Sequence, residues 1–188
     1  MQRRSVLGAA AALAGGIAAY LAAMPFIRSL RPSARAEALG EPIEIDLSVI
    51  RPGEVRPYAY RGRTILVLRR TPEMIGKLAA MTDRLIDSDP VGDPEYVENE
   101  ARSIEKEILV VEGVCTHLGC VPRLISAEAG REAAGDWWAG GFWCPCHDSA
   151  YDYAGRVVKG PAPHNLRIPP HRYVSASRVI VGEESPPT

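Results

Sequence analysis

The stretch "WCPCHDSAYD", residues 143–152, places Cys144, Cys146 and His147 within four consecutive positions. Earlier in the chain, "GVCTHLGCVP", residues 113–122, carries Cys115, His117 and Cys120. These two loops hold all four cysteines of the 188-residue protein and two of its four histidines. Written in order, the donors are Cys115-x-His117-x-x-Cys120 and Cys144-x-Cys146-His147, so each loop offers cysteine and histidine in the same sense.

Outward from these loops, short segments of strand-like sequence fill the chain. They are "IEIDLSVI" (43–50), "VRPYAY" (55–60), "TILVLRR" (64–70), "EILVVEG" (107–113) and "RVIVG" (178–182). β-Branched and aromatic residues bounded by Gly, Pro and charged positions favour strands. Between the third and fourth, "TPEMIGKLAAMTDRLI" (71–86) reads as one helix. Thr71 is its N-cap, Pro72 its first residue, and Met74, Leu78, Met81 and Leu85 follow at helical spacing. "DSDPVGDPEYVENEARS" (87–103) is a polar, proline-containing connection, and residues 123–141 read as a surface excursion. The pattern predicts a mainly β head, an antiparallel sandwich with one inserted helix.

The N-terminus differs in kind. Residues 6–27 form an uncharged run rich in Ala, Gly and Leu, with Arg3 and Arg4 before it and Arg28, Arg31 and Arg35 after it. At about 1.5 Å per residue, such a helix covers the roughly 30 Å hydrocarbon core of a bilayer. The apolar region of an export signal is usually about 7 to 15 residues. A cleaved signal remains open, because "SARAEA" (33–38) offers small residues to a peptidase. Pro25 is expected to kink or stop the helix. Arginines lie on both flanks, so the positive-inside rule does not fix the orientation, but "QRRSVLG" (2–8) is similar to a twin-arginine export signal. Residues 29–42, "SLRPSARAEALGEP", read as a flexible tether between this anchor and a head spanning 43–188. A net charge of -1 with no basic stripe excludes nucleic acid as a partner class.

Two thiolates on one iron and two imidazoles on the other would give a 2Fe-2S centre of mixed ligation, with Cys115 and Cys144 facing His117 and His147. Cys120 and Cys146 are then left over, and in an oxidising compartment such a pair is expected to bond. Structural zinc is the alternative, although four tetrahedral ligands leave the surplus pair unexplained. Thiol-disulfide exchange at Cys144-Pro145-Cys146 is another, but it requires neither Cys115 nor His117.

The boxes "CTHLGC" and "CPCHDS" resemble those of the Rieske iron-sulfur proteins. With the N-terminal anchor and the "GPAP" segment (160–163), the chain resembles in particular the bacterial Rieske subunits of cytochrome bc1 complexes, the ubiquinol:cytochrome c oxidoreductases. The resemblance implies one 2Fe-2S cluster held by Cys115, His117, Cys144 and His147, in a subdomain of about residues 113–164, and a Cys120–Cys146 disulfide. It also implies that Ser149 and Tyr151 give hydroxyl hydrogen bonds to the cluster and its sulfurs, and that Leu118 shields the tip. Gly160, Pro161 and Pro163 would form a stiff loop over the cluster's other side.

In function, the resemblance implies a high-potential carrier that takes one electron and one proton from ubiquinol at the cytochrome b subunit, through His147. The electron passes to a c-type cytochrome subunit as the head swings on its tether. The setting would be a dimeric complex in the bacterial inner membrane, with the anchor in membrane lipid and the head in the periplasm. The small Rieske subunit of an arsenite-oxidase-type enzyme shares the layout but usually has a less committed anchor. A dioxygenase-type Rieske ferredoxin lacks the surplus cysteines and the membrane segment.

The chain departs from the pattern at Asp148, where the family usually has glycine. Asp tolerates a left-handed backbone better than most residues. Its carboxylate is expected to disfavour the reduced state unless solvent or an arginine screens it. His164 and His171, outside both boxes, are expected at the surface, and Trp137, Trp138, Phe142 and Trp143 are expected to pack beneath the loops.

Overall fold

The computed structural model of the protein describes residues 2–33, 40–87 and 92–184. Most of the expected tether core, residues 34–39, lies outside these, as does most of the candidate peptidase site and part of the 87–103 connection. The chain forms two units, Met1–Gly40 and Glu41–Thr188.

The first unit contains one helix, α1, Gln2–Ser29, which is long and apolar enough to cross a membrane and has no buried residue. It runs through Pro25, which does not stop it as expected, and its end is tied by Ser29 Oγ donating to Phe26 O at 2.7 Å. By length and composition such a helix suits the hydrocarbon core of a bilayer.

The second unit is built from three antiparallel sheets. Its central sheet contains β2 (Val55–Tyr60), β3 (Arg63–Arg69) and β4 (Ile108–Glu112), with β3 in the middle. The β2–β3 hairpin closes on Arg61 and Gly62, both at positive φ (48° and 73°). That is the mirror-image turn whose twist matches a hairpin. In β3, Ile65, Leu66, Val67 and Leu68 are all buried, although side chains of a strand alternate between faces. The reason is that both faces are covered. Ile65 and Val67 belong to one buried cluster with Ile45, Leu47, Tyr60, Val179 and Val181, whereas Leu66 and Leu68 belong to another with Leu109, Val111, Phe142, Tyr151, Cys115 and Cys144. Each such side chain contributes about 1.5–3 kcal/mol by leaving water.

The first cover is the sheet β1 (Ile43–Asp46), β10 (Arg178–Val181) and β9 (His171–Ser175), in that order. The second contains β5 (Arg123–Ile125), β6 (Gly141–Trp143), β7 (Ala150–Tyr151) and β8 (Val157–Lys159). It carries both cysteine loops. Gly141 (φ 148°) is required in β6, because a Cβ there would strike the carbonyl oxygen of Tyr151 on β7.

Three expectations need correction. Residues 71–86 are not one helix: α2 covers Pro72–Gly76, and a 3-10 helix follows at Ala79–Arg84. Thr71 does cap α2, accepting from Met74 N at 3.3 Å. Gly76 weakens the helix at the break, and just past it Leu78 O accepts from both Met81 N at 3.4 Å and Arg156 Nη2 at 2.9 Å, which ties the tighter turn to the head. The tighter turn brings both Leu78 and Met81 into the interior. Next, residues 123–141 are more than a surface excursion. They contain β5 and α3 (Ala127–Ala134), capped by Ser126 accepting from Ala129 N at 3.2 Å, and Trp138 is buried with its Nε1 donating to Ser126 O at 3.1 Å. Finally, His171 is buried, only 2% exposed, because β9 is roofed by Tyr96, whose ring meets the imidazole edge-on at 5.5 Å. His164 is at the surface as expected.

Candidate metal centre

The two cysteine loops fold alike. In the first, between β4 and β5, Cys115 N donates to Cys120 O at 2.8 Å and Gly119 N donates to Cys115 O at 2.9 Å. In the second, between β6 and β7, Cys144 N donates to Ser149 O at 2.8 Å and Asp148 N donates to Cys144 O at 3.1 Å. Each turn needs a positive φ at its fifth residue, supplied by Gly119 at 87° and Asp148 at 58°. Asp148 thus adopts the left-handed conformation expected of it.

Both turns aim backbone N–H groups at the leading cysteine: His117 N–H at the Cys115 sulfur, and Cys146 and His147 N–H at the Cys144 sulfur. Such donors favour thiolate over thiol. Burial pushes the Cys115 thiol up, but hydrogen bonds from Tyr151, His117 N–H, Cys144 and Ser149 outweigh it and leave it below the ordinary thiol value. Burial raises Cys144, and the neighbouring Cys115 raises it further against its own backbone donors.

Cys120 and Cys146 form a disulfide, with an S–S distance of 2.09 Å, while Cys115 and Cys144 remain free and buried at 2% exposure each. The sulfurs of Cys120, Cys144 and Cys146 lie within 4.8 Å of one another, but the disulfide leaves only Cys144 of the three as a thiolate donor. His117 and His147 stand with ring centroids 4.7 Å apart and planes at 90°. His147 is exposed, His117 is half-buried, and Leu118 projects beside them at 72% exposure.

Tyr151, fully buried on β7, donates from Oη to Cys115 Sγ at 3.2 Å and accepts from Thr116 N at 3.1 Å. Ser149, also fully buried, acts on the Cys115 sulfur and accepts from Ala162 N at 3.0 Å. The proline loop is thereby tied to the second cysteine loop. Thr116 ties it to the first, donating from Oγ1 to His164 O at 2.6 Å. Pro161 and Pro163 are exposed, and Ala162 between them is buried. Beneath β7, Asp152 is fully buried and accepts from Arg156 Nε at 2.6 Å, Ala154 N at 2.8 Å and Arg156 N at 2.9 Å.

The structure therefore gathers Cys115, His117, Leu118, Cys144, His147, Ser149 and Tyr151 around the two loops, and the bond from Ala162 to Ser149 ties the 160–163 segment to them. Sequence reasoning missed Thr116, Trp143 as a partner of Asp148, and the Asp152–Arg156 pair. Trp143 Nε1 donates to Asp148 Oδ1 at 3.2 Å, so the carboxylate is held by an indole and not by an arginine. None of these partners is marked by spacing. Phe142 packs in one cluster with Cys115 and Cys144 and Trp143 meets Asp148 of the second loop as expected, whereas Trp138 packs with Met81, Ala150 and Val158, and Trp137 is half-buried.

A group with two soft and two borderline ligand positions fits these donors: two free buried thiols with N–H groups aimed at them, and two neighbouring imidazoles. The sequence family described as the Rieske [2Fe-2S] domain matches residues 88–170. A Rieske domain implies a 2Fe-2S cluster. The ubiquinol-cytochrome c reductase iron-sulfur subunit of Allochromatium vinosum is 44% identical over 97% of this chain and 89% of its own length. That of Bradyrhizobium diazoefficiens is 39% identical over 93% of this chain and 89% of its own length. Among solved structures, a chain described as hyperthermophilic respiratory Complex III is 27% identical, with a TM-score of 0.49, covering 92% of this chain and 96% of that one. Identity at this level over nearly the full length of both sequences places the chain in the family of bacterial ubiquinol-cytochrome c reductase Rieske iron-sulfur subunits.

Proposed function

We propose that the chain is the mobile electron carrier of a quinol:cytochrome c oxidoreductase of the bc1 type, taking one electron and one proton from ubiquinol at cytochrome b and delivering the electron to a c-type cytochrome subunit. The observation that carries this reading is the division of the cysteines: two locked in a disulfide, and two left as buried free thiols in the same two loops that bring a pair of histidines to 4.7 Å.

In this reading Cys115 and Cys144 hold one iron, and His117 and His147 hold the other. When bound, the 2Fe-2S cluster supplies one-electron chemistry at a potential raised because two neutral imidazoles replace two thiolates. The remaining steps belong to the protein's own groups. His147, exposed at the tip, would present the ring nitrogen not used for iron. Only with that nitrogen deprotonated does it accept a hydrogen bond from the quinol hydroxyl and take its proton, ending as the N–H form. Leu118 beside it gives the quinol an apolar wall and keeps water from the contact. Tyr151 and Ser149 donate to thiolate sulfur, stabilising added negative charge. The disulfide and the 160–163 loop hold the two cysteine loops in one geometry.

The apolar α1 anchors the chain in membrane lipid, and residues 29–42 tether the head. We place the head in the periplasm: the disulfide needs an oxidising compartment, and Arg3-Arg4 suits export of an already folded domain. The complex is read as dimeric.

Low-temperature EPR of the full-length chain purified in detergent tests the function, with reduction by ascorbate and then by dithionite. A Rieske-type signal after ascorbate is expected. A signal that needs dithionite would make the protein a low-potential carrier, and zinc without iron would make the loops structural. Stiffening residues 29–42 should slow turnover of the assembled complex and leave the EPR spectrum unchanged; undiminished turnover would refute the swing.

A further inference from the structure

Asp148 adjoins His147 at the exposed end of the second cysteine loop, where a free carboxylate would swing in water. It is held instead by Trp143, whose Nε1 donates to Oδ1 at 3.2 Å. Trp143 is only 6% exposed. Trp138 meets it edge-on at 5.8 Å, the Lys159 ammonium lies 4.6 Å from its ring centroid, and its backbone pairs with Arg123 on β5 and Ala150 on β7. Buried between Trp138 and Lys159, the indole has little room to leave the rotamer that points its N–H at Asp148. A cation over the ring draws electron density from the indole and sharpens that donor. The carboxylate is therefore anchored to the sheet as well as to the loop.

We infer that Trp143 is a positioning residue for the redox centre, acting through Asp148: it holds one negative charge against the second cysteine loop, and that fixed charge lowers the affinity of the centre for an electron. This rests on the redox reading above. Adding an electron beside a carboxylate is opposed by a repulsion that falls with distance and with screening. An aspartate free to turn outward would be screened by water for most of the time. One clasped to a buried indole keeps one orientation beside the second cysteine loop, although Asp148 itself is exposed. Trp143 thus sets the strength of an electrostatic brake that Asp148 supplies.

Potentiometric EPR titration of the full-length, cluster-bearing chain tests the inference in four forms: wild type, Asp148→Asn, Trp143→Phe and the double variant. Asparagine tolerates the left-handed backbone and still accepts from the indole, so it removes the charge alone. The equilibrium constant for reduction is expected to rise about three- to tenfold in Asp148→Asn, as a unit charge across a partly solvated gap implies. Trp143→Phe is expected to give a smaller rise in the same direction. The double variant is expected to match Asp148→Asn, because the indole acts only through the carboxylate.

Equal effects of Trp143→Phe in both backgrounds would show that the ring acts by packing, and would overturn the inference. So would a Trp143→Phe chain with wild-type potential. If Trp143→Phe does not retain a cluster, Asp148→Glu replaces it: the charge is kept but displaced by one methylene, and a value between wild type and Asp148→Asn is expected. A value equal to wild type overturns the inference. A wild-type chain without a Rieske-type signal overturns the redox reading, and this inference falls with it; a normal signal with additive shifts overturns the inference alone.

Discussion

Tyr151 Oη donates to Cys115 Sγ at 3.2 Å, joining the buried strand β7 to the first cysteine loop across 36 positions of sequence. A donor to a sulfur ligand gains strength as negative charge is added. Tyr151→Phe is therefore expected to lower the equilibrium constant for reduction roughly tenfold, the equivalent of about 1.4 kcal/mol for one charge-assisted bond. Redox titration followed by EPR measures it, and an unchanged potential would remove Tyr151 from the tuning of the centre.

Ser149→Ala is expected to act on stability as well. The hydroxyl both affects the Cys115 sulfur and accepts from Ala162 N, and the variant leaves that buried N–H without its partner. A loss of about 1–3 kcal/mol follows, read by urea unfolding, in addition to a lowered potential. Tyr151→Phe in turn takes the acceptor from Thr116 N, but that residue is half-buried and lies in the first cysteine loop. Only Ser149→Ala unties the 160–163 loop from the second cysteine loop, and comparing the two variants weighs that docking against tuning.

Removing the disulfide with Cys120→Ser and Cys146→Ser opens a loop with a sequence separation of 26. The chain-entropy model gives a loss of about 3–4 kcal/mol. The variant is expected to release iron at lower temperature than wild type, seen as earlier loss of visible absorbance on heating. Equal thermal retention of iron would show that packing alone holds the loops.

Asp152→Asn is expected to cost about 3–5 kcal/mol, because it leaves the Arg156 guanidinium buried opposite an uncharged amide. The replacement also loses an acceptor, since Asp152 takes bonds from Ala154 N and from both Arg156 N and Nε. Denaturant midpoints check this, and a change under about 1 kcal/mol would show that the pair is dispensable.

Burial holds His171 below the ordinary histidine range, opposed by its hydrogen bond to Pro169 O at 2.9 Å. The unfolded chain then takes up a proton at a pH where the folded chain stays neutral. The contribution of this site is full above the unfolded value of about 6.5 and is lost as pH falls from there toward the lower folded value. Unfolding free energies of wild type and His171→Gln, compared at about pH 7.5 and about pH 5, are expected to converge as pH falls; a constant difference would refute the assignment.

Some of this architecture was legible from residue types alone. Thr71-Pro72 read as a helix start and is one, because a cap is made within a single turn. The strands at 55–60, 64–70, 107–113 and 178–182 were legible because β-branched runs report burial on a pleated surface. The length of the helix after Thr71 was not, since the chain just past it is tied down by Arg156, which is 78 residues distant from Leu78. Burial of His171 was also hidden, because Tyr96 reaches it from 75 residues earlier.

The same division holds at the centre. The sequence by itself determined the donors, their spacing in two loops, and an apolar segment long enough for a bilayer, because thiol, imidazole and hydrocarbon chemistry reside in single side chains and short runs. Only the tertiary structure decided which hydroxyl meets which sulfur, how Thr116 and Ser149 dock the 160–163 loop, and that Asp148 is clasped by a buried indole. Those relations depend on how β6 and β7 pair and which faces their side chains take, and that follows from filling the core beneath them.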